Sequence, residues 1–259
     1  MEAKLAEIVT TVGVGLVKKK ELLAKGGRWK GEQLKTEADL FAHKMLTILL
    51  NKINKLPIIS EEGILTNLNP RPDKYWLIDP LDGTRSYVDG YKGWVTQVSL
   101  IEYSKVIYAA IYAPELDLLY LANRNHGSYL NGKKLKVNND IPNGVTLIDN
   151  YPNPRGIAKK IMTEVPCNKY IESGSISLKI CRIADGTSDL FVKDVIVRDW
   201  DVAAPMLILE ESGGILTKGN GGKFLFSNDF EKLGLVASNS SITVKTAVGV
   251  MNFLPPQNL

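Results

Sequence analysis

The sequence predicts an α+β half followed by an α/β half, and three observations carry that reading. Apolar residues fall at helical spacing in two stretches before residue 54. Runs rich in Val, Ile and Tyr, separated by turn signals, fill the chain from Tyr75 to about Asn138. Beyond "NNDIPNG", at 138–144, strand and helix patterns alternate to the last residues. Two subdomains are therefore expected, residues 1–140 and 141–259, with no internal repeat and no low-complexity segment.

In the first helix Leu5, Ile8, Val9, Val12 and Leu16 recur at the period of an amphipathic helix. Glu2 and Glu7 stand where a secretory leader carries positive charge, and "KKK" at 18–20 reads as the solvated end of this helix. "AKGGRWKGEQLK" has little apolar periodicity and a Gly-Gly hinge, so a mobile loop is expected there. Thr36 is the expected N-cap of a second helix, "EADLFAHKMLTILLNKI", with Phe41, Met45, Ile48 and Leu49 on one face. "LPIISEEG" reads as a short strand running into a turn. "WVTQVSLIEY", "KVIYAAIYAPELDLLYLANR" and "GSYLNGKKLKV" then form an antiparallel meander, with Asn131-Gly132 as a hairpin turn. In the second half, strands are expected in "VTLIDN", "DLFVK" and "GLVASN". The helices are "PRGIAKKIM", "SISLKICRIADG", "DWDVAAPMLILEESGG" and "SSITVKTAVGVM", two of them closed by glycines.

An apolar content of 44% with 23% charged residues describes a folding chain, not a disordered one. The net charge of +4 comes from 32 basic and 28 acidic residues mixed along the sequence. That balance is too mild for a nucleic-acid partner and suits a small anionic substrate. No stretch approaches the roughly 18 apolar residues of a membrane span. Cys167 and Cys181 match no metal spacing and are too few for a disulfide framework, so a cytoplasmic protein is expected, with Cys181 in its core. His43 and His126 fall in no metal-ligating pattern and read as surface residues.

Chemistry enters at "WLIDPLDGTRSY", residues 76–87, where an apolar strand ends in Asp79 and Asp82 followed by Gly83 and Thr84. Asp-Pro and Asp-Gly are turn dipeptides, which would explain the pair without any function. Other acids also sit at the ends of apolar elements: Glu61 and Glu62 after "LPII", Asp39 in the first turn of the second helix, and Asp201 beside Trp200 at the start of a later one. Asp39 and Asp201 would serve equally well as partners of helix N-termini, and Glu61 and Glu62 as solvated turn residues. Taken together they fit hard cations, which want oxygen ligands; two such ions about 4 Å apart need a carboxylate between them. Asp79 and Asp82 are suited to that bridge and its outer ligand.

These stretches resemble the inositol monophosphatase superfamily of Mg²⁺-dependent, lithium-sensitive phosphatases. The superfamily includes fructose-1,6-bisphosphatases and 3'(2'),5'-bisphosphate nucleotidases. "SEEG", "WLIDPLDGTRSYVDG" and "WDVAAPMLILEESGG" match its signatures in order, and "TEAD" and "SGSISLKICRIADGTSDLF" its weaker intermediate patterns, from about residue 36 to 214. The resemblance implies a layered αβαβα sandwich, two or three Mg²⁺ ions, a small phosphorylated substrate and a homodimer. It assigns Glu61, Asp79 and the carbonyl of Leu81 to one ion, and Asp79, Asp82 and Asp201 to a second. Thr84 and Asp39 would activate the attacking water beside Glu61, while Asp82, Gly83 and Thr84 face the phosphate and Gly174 and Ser175 the rest of the substrate.

A haloacid-dehalogenase-like phosphatase also places "D…DGT" after a strand, but with one residue between its aspartates and near the chain start; here two intervene, one of them Pro80. "GNGGK" at 219–223 lacks the context of a phosphate loop and reads as a turn. For the substrate, Asp194 lies seven residues before Asp201, where inositol monophosphatases often carry a glutamate that contacts ring hydroxyls. Strand alternation puts Lys193 and Asp194 on opposite faces, and Asp194 is favoured to line the pocket. Arg198 is placed as in bifunctional inositol and fructose bisphosphatases, whereas "SLKIC" leans toward the nucleotidases. The expected substrate is inositol monophosphate, with fructose-1,6-bisphosphate second; a bisphosphate nucleotidase is the alternative.

Overall fold

The computed structural model describes residues 1–24, 27–30, 33–63, 70–138, 143–227 and 229–252. The first half contains α1 (Glu2–Lys18), α2 (Lys20–Leu23), β1 (Arg28–Lys30), β2 (Gln33–Lys35), α3 (Glu37–Ile53), β3 (Ile58–Ser60), β4 (Lys74–Asp82) and α4 (Thr84–Asp89). The meander follows as β5 (Val95–Glu102), β6 (Lys105–Ala113), β7 (Leu118–Asn123), β8 (Gly127–Leu130) and β9 (Lys133–Lys134). The second half alternates β10 (Val145–Asp149), α5 (Gly156–Glu164), β11 (Cys167–Glu172), α6 (Ile176–Ala184), β12 (Leu190–Arg198) and α7 (Asp199–Ser212). It closes with β13 (Ile215–Lys218), β14 (Glu231–Ser238) and α8 (Ser241–Asn252).

β3 to β9 pair in sequence order as a seven-stranded sheet, antiparallel except where β3 runs parallel to β4. A five-stranded sheet has the order β11-β10-β12-β14-β13. Alternation along the strands decides what covers each face. On β4, Trp76 and Ile78 face Leu5, Val9 and Val12 of α1 and Ala42, Leu46 and Leu50 of α3. Tyr75 and Leu77 face the other way, into a core shared with Leu178 and Cys181 of α6, Val202 and Leu207 of α7, and Phe191 and Leu235 of the second sheet. Leu190, Val192 and Val236 complete the stack against Ile157 and Ile161 of α5 and Val244 and Ala247 of α8. The order is helix, sheet, helix, sheet, helix, as the resemblance implies. α7 lies in the middle and is apolar all round from Val202 to Leu209, which is what a helix covered on both sides requires.

Several local expectations change. The segment expected to be a mobile loop contains a short antiparallel ladder, Arg28 opposite Lys35 and Lys30 opposite Gln33; its residues 25, 26, 31 and 32 lie outside the described residues. The buried face of α3 is Ala38, Asp39, Ala42, Leu46 and Leu50, and Ile48 is 54% exposed. Small Ala residues let this helix approach the sheet, so the larger Phe41, Met45 and Leu49 flank the contact. β11 and β13 carry too few apolar residues to announce themselves, and the β13 turn, with Gly221 at φ 81, occupies "GNGGK". Asn131 and Gly132, both at positive φ, make the expected hairpin turn. Residues 139–142, at the expected subdomain junction, are not described.

Candidate active site

β4 does not run straight into its turn. Between the pairs Asp79–Gln97 and Asp82–Val95, two residues of β4 face one of β5. Pro80 lies in this bulge, where its missing N–H costs no ladder bond. The bulge keeps both Asp79 and Asp82 buried at the strand end, 1% and 8% exposed. Asp79 Oδ1 accepts the Leu81 N–H at 3.1 Å. Gly83 turns the chain into α4 at φ 91, and a Cβ there would stand 3.2 Å from the Cβ of Ser175. Only glycine satisfies both the angle and the space.

Asp39 joins this turn to α3. Its Oδ2 accepts the Thr36 N–H and hydroxyl, each at 2.7 Å, as the reciprocal half of a capping box. Its Oδ1 accepts the Thr84 hydroxyl at 2.9 Å, and that hydroxyl also lies 3.2 Å from the Leu81 carbonyl. One oxygen of Asp39 thus caps α3 and the other meets Thr84.

Glu61 and Glu62 follow β3. Lys35 reaches in from β2, donating to Glu62 Oε1 at 2.6 Å and to the Glu61 carbonyl at 3.2 Å. His43, expected on the surface, is half-buried with its Nδ1 2.9 Å from Ser60 Oγ, so it steadies the end of β3; His126 is exposed. Asp201 enters from α7, its Oδ2 accepting the Arg198 N–H at 2.7 Å.

The acids form one electrostatic neighbourhood. Burial, opposed by Lys35 and reinforced by Glu62, Asp39 and Asp82, pushes the Glu61 carboxyl up to about 7. Burial first, then Glu61, Asp82 and Asp201, holds Asp79 well above the usual carboxylate range. Asp201 is raised by burial and by Asp82 and Glu61. Glu61 and Asp201 are each half-buried as residues. Among the described residues no three His, Cys, Asp or Glu side chains stand together as a ready-made metal cage. The donor chemistry still fits a hard divalent cation: oxygen ligands only, buried, and repelling one another in a way that added positive charge relieves.

The substrate-side residues are placed less uniformly. Ser175 N-caps α6 through Leu178 N–H at 3.0 Å, and its own N–H goes to the Gly93 carbonyl at 2.6 Å, so its polar groups already have partners. Gly174 and Gly93 meet backbone to backbone; a Cβ on Gly174 would lie 2.1 Å from Gly93 O. Alternation fails near Asp194, because Asp194 and Val195 of β12 oppose the single Gly234, and Lys193 and Asp194 are both half-buried. Arg198 turns its guanidinium onto Glu231 of β14, Nε at 3.1 Å and a terminal nitrogen at 3.0 Å. Lys179, which is not among the expected site residues, is wholly buried with its side-chain nitrogen on Asn150 Oδ1 and the Gly174 carbonyl. Burial above all pushes its pKa down to about 7. A lysine inside the apolar helix pattern of "SISLKICRIA" was the available signal.

The profile of the inositol monophosphatase family matches residues 4–251. A 3'(2'),5'-bisphosphate nucleotidase CysQ of Buchnera aphidicola is 33% identical over 200 residues, 74% of each chain. A fructose-1,6-bisphosphatase/inositol-1-monophosphatase of Aquifex aeolicus is 28% identical over 174 residues, 64% of this chain and 63% of that one. Among solved structures, the Thermotoga maritima IMPase superposes with a TM-score of 0.80 at 25% identity, covering 95% of this chain and 96% of that one. The suhB protein of Bartonella henselae gives 0.82 at 23% identity, covering 97% and 98%.

Proposed function

Because the chain belongs to the inositol monophosphatase family, we propose that it is a Mg²⁺-dependent phosphomonoesterase whose main substrate is a polyol monophosphate such as inositol-1-phosphate. The observation that carries this reading is the β4 bulge that buries Asp79 and Asp82 together, with Glu61, Asp82 and Asp201 near enough to hold the Asp79 carboxyl well above its usual range. Glu61, Asp79 and the Leu81 carbonyl would hold one ion, and Asp79, Asp82 and Asp201 a second. Bound there, Mg²⁺ supplies charge for the phosphate oxygens and the departing alkoxide and acidifies the attacking water.

The chain's own groups do the rest. The Thr84 hydroxyl donates to Asp39, which leaves an oxygen lone pair to orient a water; as the water gives its proton to Thr84 Oγ, the Thr84 proton passes along that hydrogen bond to Asp39. That water forms a bond to phosphorus as the bond to the alkoxide breaks, the alkoxide taking a proton from solvent water to leave as the alcohol, with no covalent enzyme intermediate. Backbone N–H groups of Gly83 and Thr84 orient the phosphate. Asp194 offers acceptors to ring hydroxyls. Arg198 is held by Glu231, which weighs against a role in gripping the second phosphate of fructose-1,6-bisphosphate.

A second reading, a 3'(2'),5'-bisphosphate nucleotidase, is favoured by the 33%-identical relative of that name and by the stretch "SLKIC". The test is a panel of inositol-1-phosphate, fructose-1,6-bisphosphate, adenosine 3',5'-bisphosphate and p-nitrophenyl phosphate, with and without Mg²⁺. The highest kcat/KM on inositol-1-phosphate supports the first reading, and on the adenosine bisphosphate the second. No Mg²⁺-stimulated hydrolysis of any ester overturns both. Asp194→Ala should raise KM for inositol-1-phosphate more than for p-nitrophenyl phosphate.

A further inference from the structure

α7 contains a proline within its second turn, and proline has no N–H to give. Pro205 stands four residues after Asp201, so the Asp201 carbonyl lacks the helical bond that residue 205 would otherwise donate. Another element fills the gap. Ser177 Oγ on α6 donates to the Asp201 carbonyl at 2.9 Å, while the Ser177 N–H donates to Asp82 Oδ2 at 2.8 Å. Gln97 on β5, directly across the ladder from Asp79, donates from Nε2 to Ser177 Oγ at 2.7 Å and to the Trp200 carbonyl at 2.9 Å. The directions are forced. A carbonyl only accepts, so the amide nitrogen must face Trp200; the Ser177 hydroxyl then accepts from Gln97 and sends its one proton to Asp201. Gln97 is 1% exposed and Ser177 wholly buried.

We propose that Ser177 and Gln97 are positioning residues that fix Asp82 and Asp201 relative to each other, and that Pro205 is what makes the Ser177 hydroxyl necessary. The proposal rests on the reading of Asp82 and Asp201 as ligands of one ion. Asp82 comes from the first sheet and Asp201 from the middle helix layer, and their charges repel. Packing alone would leave their separation to the sum of many contacts. Here one residue touches both, Asp82 through its N–H and Asp201 through its hydroxyl, and Gln97 locks that residue to the start of α7. Groups that orient a ligand from behind set the affinity of the site.

The experiment measures Mg²⁺ binding to the full chain by titration calorimetry, alongside melting temperature in chelator and circular dichroism. Ser177→Ala and Gln97→Met should each weaken Mg²⁺ binding about tenfold while the fold is kept. Pro205→Ala returns an N–H to the Asp201 carbonyl, so in that background Ser177→Ala should cost no more than about threefold. Asp82→Asn is the reference. If it abolishes Mg²⁺ binding while Ser177→Ala and Gln97→Met bind as the parent does, the positioning roles are wrong and the metal site stands. If Asp82→Asn itself binds as the parent, the metal-site reading fails. An equal penalty for Ser177→Ala with and without Pro205 overturns the part assigned to the proline. Should Ser177→Ala not fold, Gln97→Met decides the positioning role alone: binding within about twofold of the parent overturns it.

Discussion

Thr84 on α4 donates its hydroxyl to Asp39 on α3 at 2.9 Å, so the turn after β4 is tied to a helix residue 45 positions earlier. Thr84→Val keeps the shape and removes the donor. Its kcat should fall by about 10²-fold with KM little changed, whereas Thr84→Ser should stay within about tenfold of the parent. Steady-state kinetics on any hydrolysed ester checks this; equal losses for Val and Ser would remove Thr84 from the proton path. Asp39→Asn weakens the capping box as well and should lose about 1 kcal/mol of stability.

Asp79 faces three other acids from a buried position. Asp79→Asn removes one of the repelling charges at nearly constant volume. In chelator the variant should melt higher than the parent, while Mg²⁺-dependent activity falls by more than about 100-fold. A variant both less stable in chelator and fully active would contradict the shared-ligand assignment.

The metal-free protein should show an inverted pH profile. Glu61 titrates near 7 in the fold against an ordinary value of 4.5, so the folded state binds its proton more tightly than the unfolded state does. Its favourable contribution is complete below about 4.5 and is lost as pH rises through about 7. Asp79 and Asp201 shift in the same direction. Melting temperature in chelator should therefore fall from pH 6 to pH 8, and saturating Mg²⁺ should flatten or reverse the slope. A melting temperature that rises with pH in chelator would show that these carboxylates ionise freely.

Gly174 has no room for a methyl group, since its Cβ would lie 2.1 Å from Gly93 O and 2.8 Å from Ser86 Oγ. Both neighbours belong to the segment that follows the turn at Gly83. Gly174→Ala should cost about 3 kcal/mol in denaturant unfolding, because backbone rather than a flexible side chain must yield. Gly132→Ala has open space around it, so at that hairpin turn only the strain of a positive φ applies.

The layers and the acid-bearing turns were legible in the sequence because each rests on local chemistry. Thr36 announces a helix start, Asn131-Gly132 a hairpin, and the apolar run before Asp79 a buried strand. What was not legible depends on contacts between distant segments. Ile48 sits at a helical apolar position yet faces solvent, because α3 meets the sheet through its alanines. The bulge that spoils alternation at Asp194 arises from Gly234, some forty residues away, and the pairing of Arg198 with Glu231 from the register of the same two strands. Ser177 and Gln97 are ordinary polar residues in a helix and a strand; only the fold shows that both point at the α7 start.

The shared middle layer also orders events during synthesis. The first sheet is complete in sequence at Lys134, but α6 and α7, which cover its inner face, end only at Ala184 and Ser212. A ribosome adding about 5–20 residues per second needs several seconds for that interval, with Leu77, Ile111 and Tyr120 uncovered meanwhile. Asp201 is the last of the four clustered acids to emerge. A chain released early thus combines an exposed apolar sheet with an acid set that lacks Asp201.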